Sequence, residues 1–375
     1  MLRIALSMLF GDRTKYLTLV LGLSFAALLI SQQGAIFLGL LTRATGPLQN
    51  MLQADLWVTD AATHYVSEFR ALSEKEVQLV RSVPGVQWAE PIFTGRGLVE
   101  LASGRIHYAQ ILGIDRSTLI GQPLEMVEGR LEDLRIPDAV IIDTNGRDKL
   151  GGLKLGDELK LNERRAVVVG FCRAWGGFDG NVLVYTSLEQ AYTFVPTGRR
   201  RVSYILTKIN PGAQPAVVAQ AIKEHTGLAA FTREQLRDRT VGWVLRETGI
   251  GINFGITVLL GLIVGLVIAA TILYQFTSDN IRHFAVFKAM GASRRQLSTM
   301  VMIQALIAGV VGYGIGVGGA GLFAMMGTRP EAQLVAFLPW QLLVASFVAM
   351  MGCVAVGSLL SLHRVLTVEP GLVFK

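Results

Sequence analysis

The sequence feature that most constrains this chain is a pair of very long uncharged runs separated by a short cationic segment. Residues Thr248–Ser278 and Gln296–Thr328 contain no Asp, Glu, Lys or Arg. Each run exceeds the roughly 20 apolar residues that cross a bilayer as an α-helix. Asp279–Leu297 (DNIRHFAVFKAMGASRRQL, hereafter the connecting segment) joins the two runs and is therefore expected to lie at a membrane surface.

The charge of the connecting segment predicts which surface this is. It carries Arg282, Lys288, Arg294 and Arg295 against a single acid, Asp279. Lys and Arg beside membrane spans are retained on the cytoplasmic side. We therefore predict that the connecting segment is cytoplasmic.

The composition agrees with a membrane protein. Charged residues make up 17% of the 375 residues and hydrophobic residues 51%, whereas soluble proteins are about 25% charged. The segments predicted to be cytoplasmic (1–15, 279–296 and 363–375) hold nine Lys or Arg and three Asp or Glu, which accounts for most of the net charge of +7. A nucleic-acid-binding protein would concentrate its basic residues on a folded domain, so no nucleic-acid partner is predicted.

Residues 1–15 are predicted to form an amphipathic helix on the cytoplasmic surface, because apolar residues recur at helical spacing and basic residues flank them. The apolar positions are Leu2, Ala5, Leu6 and Leu9. The alternative is the start of a signal peptide. The uncharged run that follows, Tyr16–Thr42, is 27 residues long, which exceeds a signal peptide's apolar region and favours an uncleaved span.

Charged residues return at ordinary density over Arg43–Glu247, where strand and helix patterns alternate. Ser73 and Thr232 each precede a Glu or Gln at the third helical position, the pattern of a capping box. These features predict an α+β domain of about 200 residues, large enough for its own core. Strands are predicted at 54–60, 86–90, 97–101, 105–112, 139–142, 158–161, 165–171, 182–185 and 202–208.

No proline occurs between Thr232 and Pro330. The sequence therefore predicts that one helix continues unbroken from the α+β domain through the second span, as a stiff rod over Thr232–Ser278. Within this span, Gly251/Gly255 and Gly261/Gly265 are spaced four apart, which favours close helix packing. The alternative is that glycine is simply common in membrane helices. Glycines also crowd the third span, which indicates either tight packing or a flexible helix.

The predicted fold is a membrane α-helical protein with four transmembrane helices and a large α+β extracytoplasmic domain between the first and second spans. The predicted boundaries are an amphipathic helix at 1–15, the first span at 16–42, the α+β domain at 43–247, the second span at 248–278, the cytoplasmic coupling segment at 279–296, the third span at 297–328, an outer turn at 329–336, the fourth span at 337–362 and a cytoplasmic tail at 363–375.

Motifs for catalysis or ligand binding are absent from the sequence. There is no P-loop, no H-E-x-x-H and no paired-cysteine motif, and the five histidines are scattered, as surface residues would be. Cys172 and Cys353 are not expected to pair. The spans contain no ionisable residue, which argues against an ion-driven carrier. We predict no catalytic, cofactor-binding or metal-binding residue.

The connecting segment is predicted to form a helix, a sharp turn at Gly291 and a second helix capped by Ser293. Its large apolar side chains are expected to be available for docking a partner or the membrane surface. These are Phe284, Val286, Phe287 and Met290. The alternative is a passive connector in which Arg294 and Arg295 only anchor the topology.

The stretch FAVFKAMGASRRQL resembles the cytoplasmic coupling motif of FtsX/MacB-type ABC transporter permeases, and the predicted four-span topology is similar to theirs over the whole chain. ADLWVTD and RETGIGINFG resemble the DevC-like branch, which includes the heterocyst glycolipid exporter type. His283 occupies a position where the family often has an acid.

This resemblance implies a homodimeric inner-membrane permease, with both termini in the cytoplasm, that works with a separate ABC ATP-binding subunit. ATP and Mg would be bound by that subunit. The resemblance also implies mechanotransmission to the extracytoplasmic domain, and a periplasmic membrane-fusion adaptor and an outer-membrane TolC-like channel as partners besides the lipid bilayer. The ATPase-coupling residues it implies are Ile281, Arg282, Phe284, Ala285, Val286, Phe287, Lys288, Ala289, Met290, Gly291, Ala292, Arg294 and Arg295.

The expected function is export of an amphiphilic or lipid-like substrate. One alternative is a permease of the same fold with a different function, either lipoprotein extraction or regulation of a cell-wall hydrolase. Another alternative is a membrane-anchored sensor that has no ATPase partner.

Overall fold

A computed structural model describes residues 13–101, 103–177, 179–195, 201–327 and 336–367. These residues form two compact units. One is Leu40–Gly249, hereafter the sheet domain, and the other contains the described residues before Leu40 and after Gly249, hereafter the helical unit. Most of the predicted segments 1–15 and 329–336, and residues 368–375 of the predicted tail, lie outside the described residues.

Four helices among the described residues are long and apolar enough to cross a membrane, which confirms the four apolar helices predicted from the sequence. Their full bounds are α1 Arg13–Ala44, α8 Ile250–Asp279, α10 Arg294–Gly327 and α11 Trp340–Thr367. The shorter described helices are α2 Gly46–Asn50, α3 Glu74–Arg81, α4 Thr144–Lys149, α5 Leu188–Phe194, α6 Pro215–Thr226, α7 Arg233–Glu247 and α9 Ile281–Ala289.

The sheet domain is built on one mixed sheet, in which the described strands lie in the order β10-β1-β9-β2-β3-β8-β5-β7-β4, with β6 pairing β2 and β7. Most neighbours are antiparallel, and β3 with β8 and β5 with β7 are parallel. The strands are β1 Leu56–Thr59, β2 Val86–Glu100, β3 Ile106–Ile114, β4 Glu125–Gly129, β5 Ala139–Asp143, β6 Glu158–Leu161, β7 Arg164–Arg173, β8 Val182–Ser187, β9 Tyr204–Ile209 and β10 Ala229–Phe231.

The central strands of this sheet are buried on both faces. Ile111 and Leu112 are neighbours on β3 and enter two different hydrophobic clusters. Successive strand side chains point to opposite faces, so each cluster covers one face of the sheet. Phe194 of α5 belongs to the first cluster, and Leu48 of α2 and Leu236 of α7 belong to the second. The domain therefore has a helix-covered core on each side.

Both predicted capping boxes are confirmed. The Ser73 hydroxyl accepts from the Glu76 N–H, and the Glu76 carboxylate accepts from the Ser73 N–H. The Thr232 hydroxyl accepts from the Gln235 N–H at 3.2 Å, and the Gln235 side chain accepts from the Thr232 N–H at 3.0 Å. Local hydrogen-bonding chemistry alone placed the starts of α3 and α7 correctly.

Two predicted strands, 86–90 and 97–101, are in fact the single strand β2. The prediction was wrong because β2 changes partners along its length. Its first half pairs with β9 and its second half with β3, the change falling at Ile92. Strands β4 and β10 were not predicted.

The predicted unbroken rod over Thr232–Ser278 is also wrong. Helix α7 ends at Glu247 and α8 begins at Ile250. Gly249, between them, has a φ of +68°, the left-handed conformation in which glycine commonly ends a helix. The absence of proline did not guarantee continuity, because one glycine after a helix C-cap is sufficient to stop it.

A carboxyl group is buried at the end of β5. Asp143 is 3% exposed, and its Oδ1 accepts from the Leu183 N–H at 2.8 Å. Burial raises the pKa of Asp143 to about 6, although that hydrogen bond and the charge of Lys149 oppose the rise. The protonated form is therefore favoured in the folded domain more than in the unfolded chain.

We expect Asp143→Asn to stabilise the protein at pH 7.5 and to have little effect at pH 4. Asp143 loses its proton in the unfolded chain near pH 4 but only near pH 6 when folded. The wild type therefore loses stability as the pH rises from 4 to 6, by up to about 3 kcal/mol. Unfolding of the sheet domain in the detergent-solubilised protein, measured at both pH values, tests this. Asp148→Asn, at an exposed position on α4, is the control and should leave the pH profile unchanged.

Candidate functional site

The connecting segment folds into a helix, a tight turn and the start of a second helix. Helix α8 ends at Asp279 and α9 begins at Ile281, so Asp279 belongs to the preceding helix. Gly291 has a φ of +91°, where a side chain would be strained. The Ser293 hydroxyl then accepts from the Gln296 N–H at 3.3 Å, and the Ser293 N–H donates to Gln296 at 2.8 Å. The predicted turn and cap are thus confirmed.

A small apolar core holds α9 against the start of α10. Phe284 is 1% exposed and packs with Leu297 and Val301, and Phe287 and Ala292 lie at the edge of the same cluster. The expectation that Phe284 is available to a partner is therefore wrong. Its side chain joins the two helices of the connecting segment.

The exposed surface of α9 is mixed in character. Arg282, Val286 and Met290 recur four residues apart and are all exposed, so they share one helix face. Arg294 and Arg295 are exposed at the start of α10. These five side chains come from α9, its C-cap residue and the start of α10, and are hereafter called the α9 face. They include three cations and two apolar groups.

The other residues predicted to couple this chain to the ATPase differ in their exposure to solvent. Ala285 is buried like Phe284, and Ala289 and Gly291 are exposed. The half-buried ones are Ile281, Phe287, Lys288 and Ala292.

The glycine pairs of α8 have different surroundings. A Cβ placed on Gly265 would lie 3.2 Å from Cβ of Ala26 in α1, and one on Gly261 would lie 3.6 Å from Ile30. A Cβ on Gly255 would meet no atom within 4 Å, and Gly251 is half-buried. The second pair therefore lies against α1 of the same chain.

Helix α1 is in closest contact with α10. A Cβ on Gly316 would lie 2.4 Å from the Ser24 carbonyl oxygen and 2.8 Å from the Leu28 nitrogen. At Gly312, the corresponding distance to Cβ of Leu23 is 2.8 Å. Small residues allow helix backbones to approach closely in lipid. Gly312 and Gly316 of the third span therefore pack tightly. This favours tight packing over a flexible helix, the two interpretations of the glycines that the sequence left open.

Sequence reasoning missed a cleft in the sheet domain. It has a volume of about 450 Å³ and is lined by residues including Leu48, Leu52, Leu124, Trp175, Arg233 and Arg237. The only sequence signal was the exposed, glycine-rich loop that contains Trp175. Residues from four separate parts of the chain form the cleft, so no local pattern could have indicated it.

Among the described residues, no three His, Cys, Asp or Glu side chains are grouped closely enough to hold a metal ion. Cys172 and Cys353 are both free and buried, in the sheet domain and the helical unit respectively. Burial raises the pKa of the Cys172 thiol above its usual range. A thiol in that state is a poor nucleophile.

Comparison with known families agrees with both units. Residues 17–225 match the MacB-like periplasmic core domain, and residues 255–370 match the FtsX-like permease C-terminal region. The chain belongs to the MacB/FtsX-type family of ABC transporter permeases. This family works with an ABC ATPase that is a separate subunit.

Two solved structures are similar to about half of this chain at low identity. The periplasmic region of MacB from Actinobacillus actinomycetemcomitans is 14% identical, with a TM-score of 0.41, and the match covers 50% of this chain and 92% of that one. The extracellular domain of YknZ, a noncanonical ABC-type transporter from Gram-positive bacteria, is 16% identical, with a TM-score of 0.36. That match covers 48% of this chain and 98% of the YknZ domain. No curated protein matches the chain.

Proposed function

We propose that this chain is the permease subunit of an ABC exporter for an amphiphilic or lipid-like substrate, in the DevC-like branch of its family. Two copies form a homodimer in the inner membrane, and each copy binds one ATP-binding subunit through the connecting segment. A periplasmic adaptor and an outer-membrane channel complete the path. Family membership supports the general class, and the residues ADLWVTD and RETGIGINFG support the branch.

The proposed topology places the connecting segment and both termini in the cytoplasm and the sheet domain outside it. The observation that supports this is charge. The connecting segment carries four Lys or Arg and one acid between two helices long enough to cross a membrane, and such cations favour the cytoplasmic side.

The α9 face carries the proposed contact with the ATPase. It combines Val286 and Met290, the latter 69% exposed, with three arginines that suit acidic partners. Large exposed apolar groups in a polar surround are typical of interaction sites. A passive connector would need the arginines but not the apolar side chains.

The motion produced by the ATPase would travel through α8 to the sheet domain. The apolar runs contain no Asp, Glu, Lys or Arg, which suits a mechanical relay better than a polar conduit. Because α7 and α8 are separate helices joined through Gly249, the relay would pass through a joint and not through one rigid rod.

Capture of the ATPase tests this proposal. Tagged full-length permease is expressed in its native cells, and any ABC ATP-binding subunit captured with it is identified and quantified by mass spectrometry. Arg282→Glu with Met290→Asp should reduce capture at least tenfold, because both exposed groups change while the Phe284 core is kept. The control, Arg105→Glu with Val217→Asp, makes the same change in net charge and likewise replaces one apolar side chain, at exposed positions of the sheet domain, and should capture normally.

The outcomes separate the alternatives. Undiminished capture by the α9 variant would show that the ATPase binds elsewhere. If the wild type captures no ABC ATPase at all, the export proposal fails and the membrane-anchored sensor is favoured.

A further inference from the structure

The cleft of the sheet domain is lined by an aromatic residue, Trp175, whose backbone is held by a buried side chain. Asn50, which is 4% exposed, donates from Nδ2 to the Trp175 carbonyl oxygen at 2.9 Å and accepts from the Trp175 N–H at 2.7 Å. A Cβ on Gly46 would lie 2.3 Å from the Gly176 carbonyl oxygen, so α2 and the loop are in backbone contact. Trp175 is nevertheless 43% exposed. Two buried hydrogen bonds thus fix the backbone of a residue whose large ring is exposed.

Trp175 lies in an apolar wall. Leu52 and Leu124 also line the cleft and are 53% and 42% exposed, whereas Leu48 beneath them is buried in the core. Covering an exposed leucine or aromatic side chain removes apolar surface from water, which favours binding. The cleft therefore has a preformed apolar surface, and the free energy of burying that surface becomes available only when a ligand covers it.

Two arginines and one acid, Glu234, also line the cleft. Arg233 and Arg237 lie one turn apart at the start of α7. Each has an acidic neighbour, with Arg233 3.7 Å from Glu234 and Arg237 3.1 Å from Asp238. Ion pairs between exposed side chains are weak, so an anion that contacts both guanidinium groups can compete with Glu234 and Asp238 for them.

We propose that this cleft binds a single-chain amphiphile with an anionic head group. The head group lies between Arg233 and Arg237, whose planar guanidinium groups match a carboxylate or phosphate. The first part of the alkyl chain lies on Leu52, Leu124 and Trp175. A cleft of about 450 Å³ is within the size range of small-molecule sites, roughly 300–1,000 Å³. The identification of this ligand as the exported substrate rests on the proposed function. The binding of the ligand to the cleft does not depend on that function.

Photo-crosslinking of the full-length protein in nanodiscs tests the proposal. The probe is dodecanoic acid with a diazirine in its alkyl chain, and labelled peptides are identified by mass spectrometry. We expect label on the peptides that contain Leu52, Leu124 or Trp175, in addition to label on the lipid-facing helices. The methyl ester of the probe, which has no charge, should label the helices equally and the cleft at least tenfold less.

Variants at exposed positions of the cleft supply the second arm. Arg233→Gln with Arg237→Gln, and separately Leu52→Glu, should each reduce cleft labelling at least tenfold and leave the helices labelled. Leu155→Glu, at a position of the sheet domain that is 48% exposed, is the control and should label like the wild type. An inorganic phosphate competitor should have little effect, because it lacks the alkyl chain.

Label confined to the apolar helices would overturn the proposal, as would equal cleft labelling by the acid and its ester. Unchanged labelling in the arginine variant would also overturn it. None of these readouts requires an ATPase, so a protein that captures no ATPase but labels in the cleft would refute the proposed function and leave the binding site standing.

Discussion

Gly316→Ala is expected to destabilise the helical unit by about 3 kcal/mol, the upper end of the usual cost of overpacking. The new methyl group would lie 2.4 Å from the Ser24 carbonyl oxygen and 2.8 Å from the Leu28 nitrogen. Both are backbone atoms of α1, so no side-chain rotation can relieve the clash and the two helices must separate. Denaturant-induced unfolding of the purified protein in mixed micelles measures the loss.

Gly318→Ala, two residues further along α10, is the matched control. Its Cβ would meet no atom within 4 Å, and it shares the gain in helix propensity that alanine brings over glycine. The control should be as stable as the wild type or more stable by up to about 1 kcal/mol. Equal stability of the two variants would mean that α1 and α10 are not packed through Gly316.

Phe284→Ala is expected to unfold the connecting segment locally, with a cost of about 3–5 kcal/mol, which is usual for removing a buried Phe side chain. Phe284 is 1% exposed and is central to the cluster with Leu297 and Val301. Hydrogen exchange of residues 281–301 in the full-length protein measures the effect directly. Faster exchange is expected throughout these residues, because one core holds both helices.

Met290→Ala is the control for this prediction, since Met290, the C-cap residue of the same helix, is 69% exposed. Its exchange should match the wild type, while ATPase capture should fall if the α9 face is the docking surface. Unchanged exchange in Phe284→Ala would contradict the packing of this core. The pair of variants separates residues that hold the segment together from residues that are free to bind.

The elements that were predicted correctly depend on local chemistry. The long apolar helices follow from the length and hydrophobicity of continuous runs. The starts of α3 and α7 follow from capping residues three positions apart, and the turn at Gly291 from glycine's access to positive φ. Each of these signals acts within a few residues, so the sequence carries it directly.

The errors arose where contacts distant in sequence decide the outcome. β2 was divided because its two halves have different partners, β9 and β3. Phe284 was expected to be exposed because nothing in α9 itself indicates that Leu297 and Val301 fold over it. The rod over Thr232–Ser278 was predicted from a missing proline, although Gly249 alone interrupts it.

The sequence by itself determined that this chain has four membrane-length helices, a folded domain of mixed helices and strands, and a cationic connecting segment. It could do so because hydrophobic length, charge and helix capping are properties of neighbouring residues. Only the tertiary structure decided which side chains of the connecting segment are exposed, which glycines touch α1, and that Asn50 fixes Trp175 beside Arg233 and Arg237. Asn50 and Trp175, for example, are 125 positions apart in the sequence. Only packing brings such residues together.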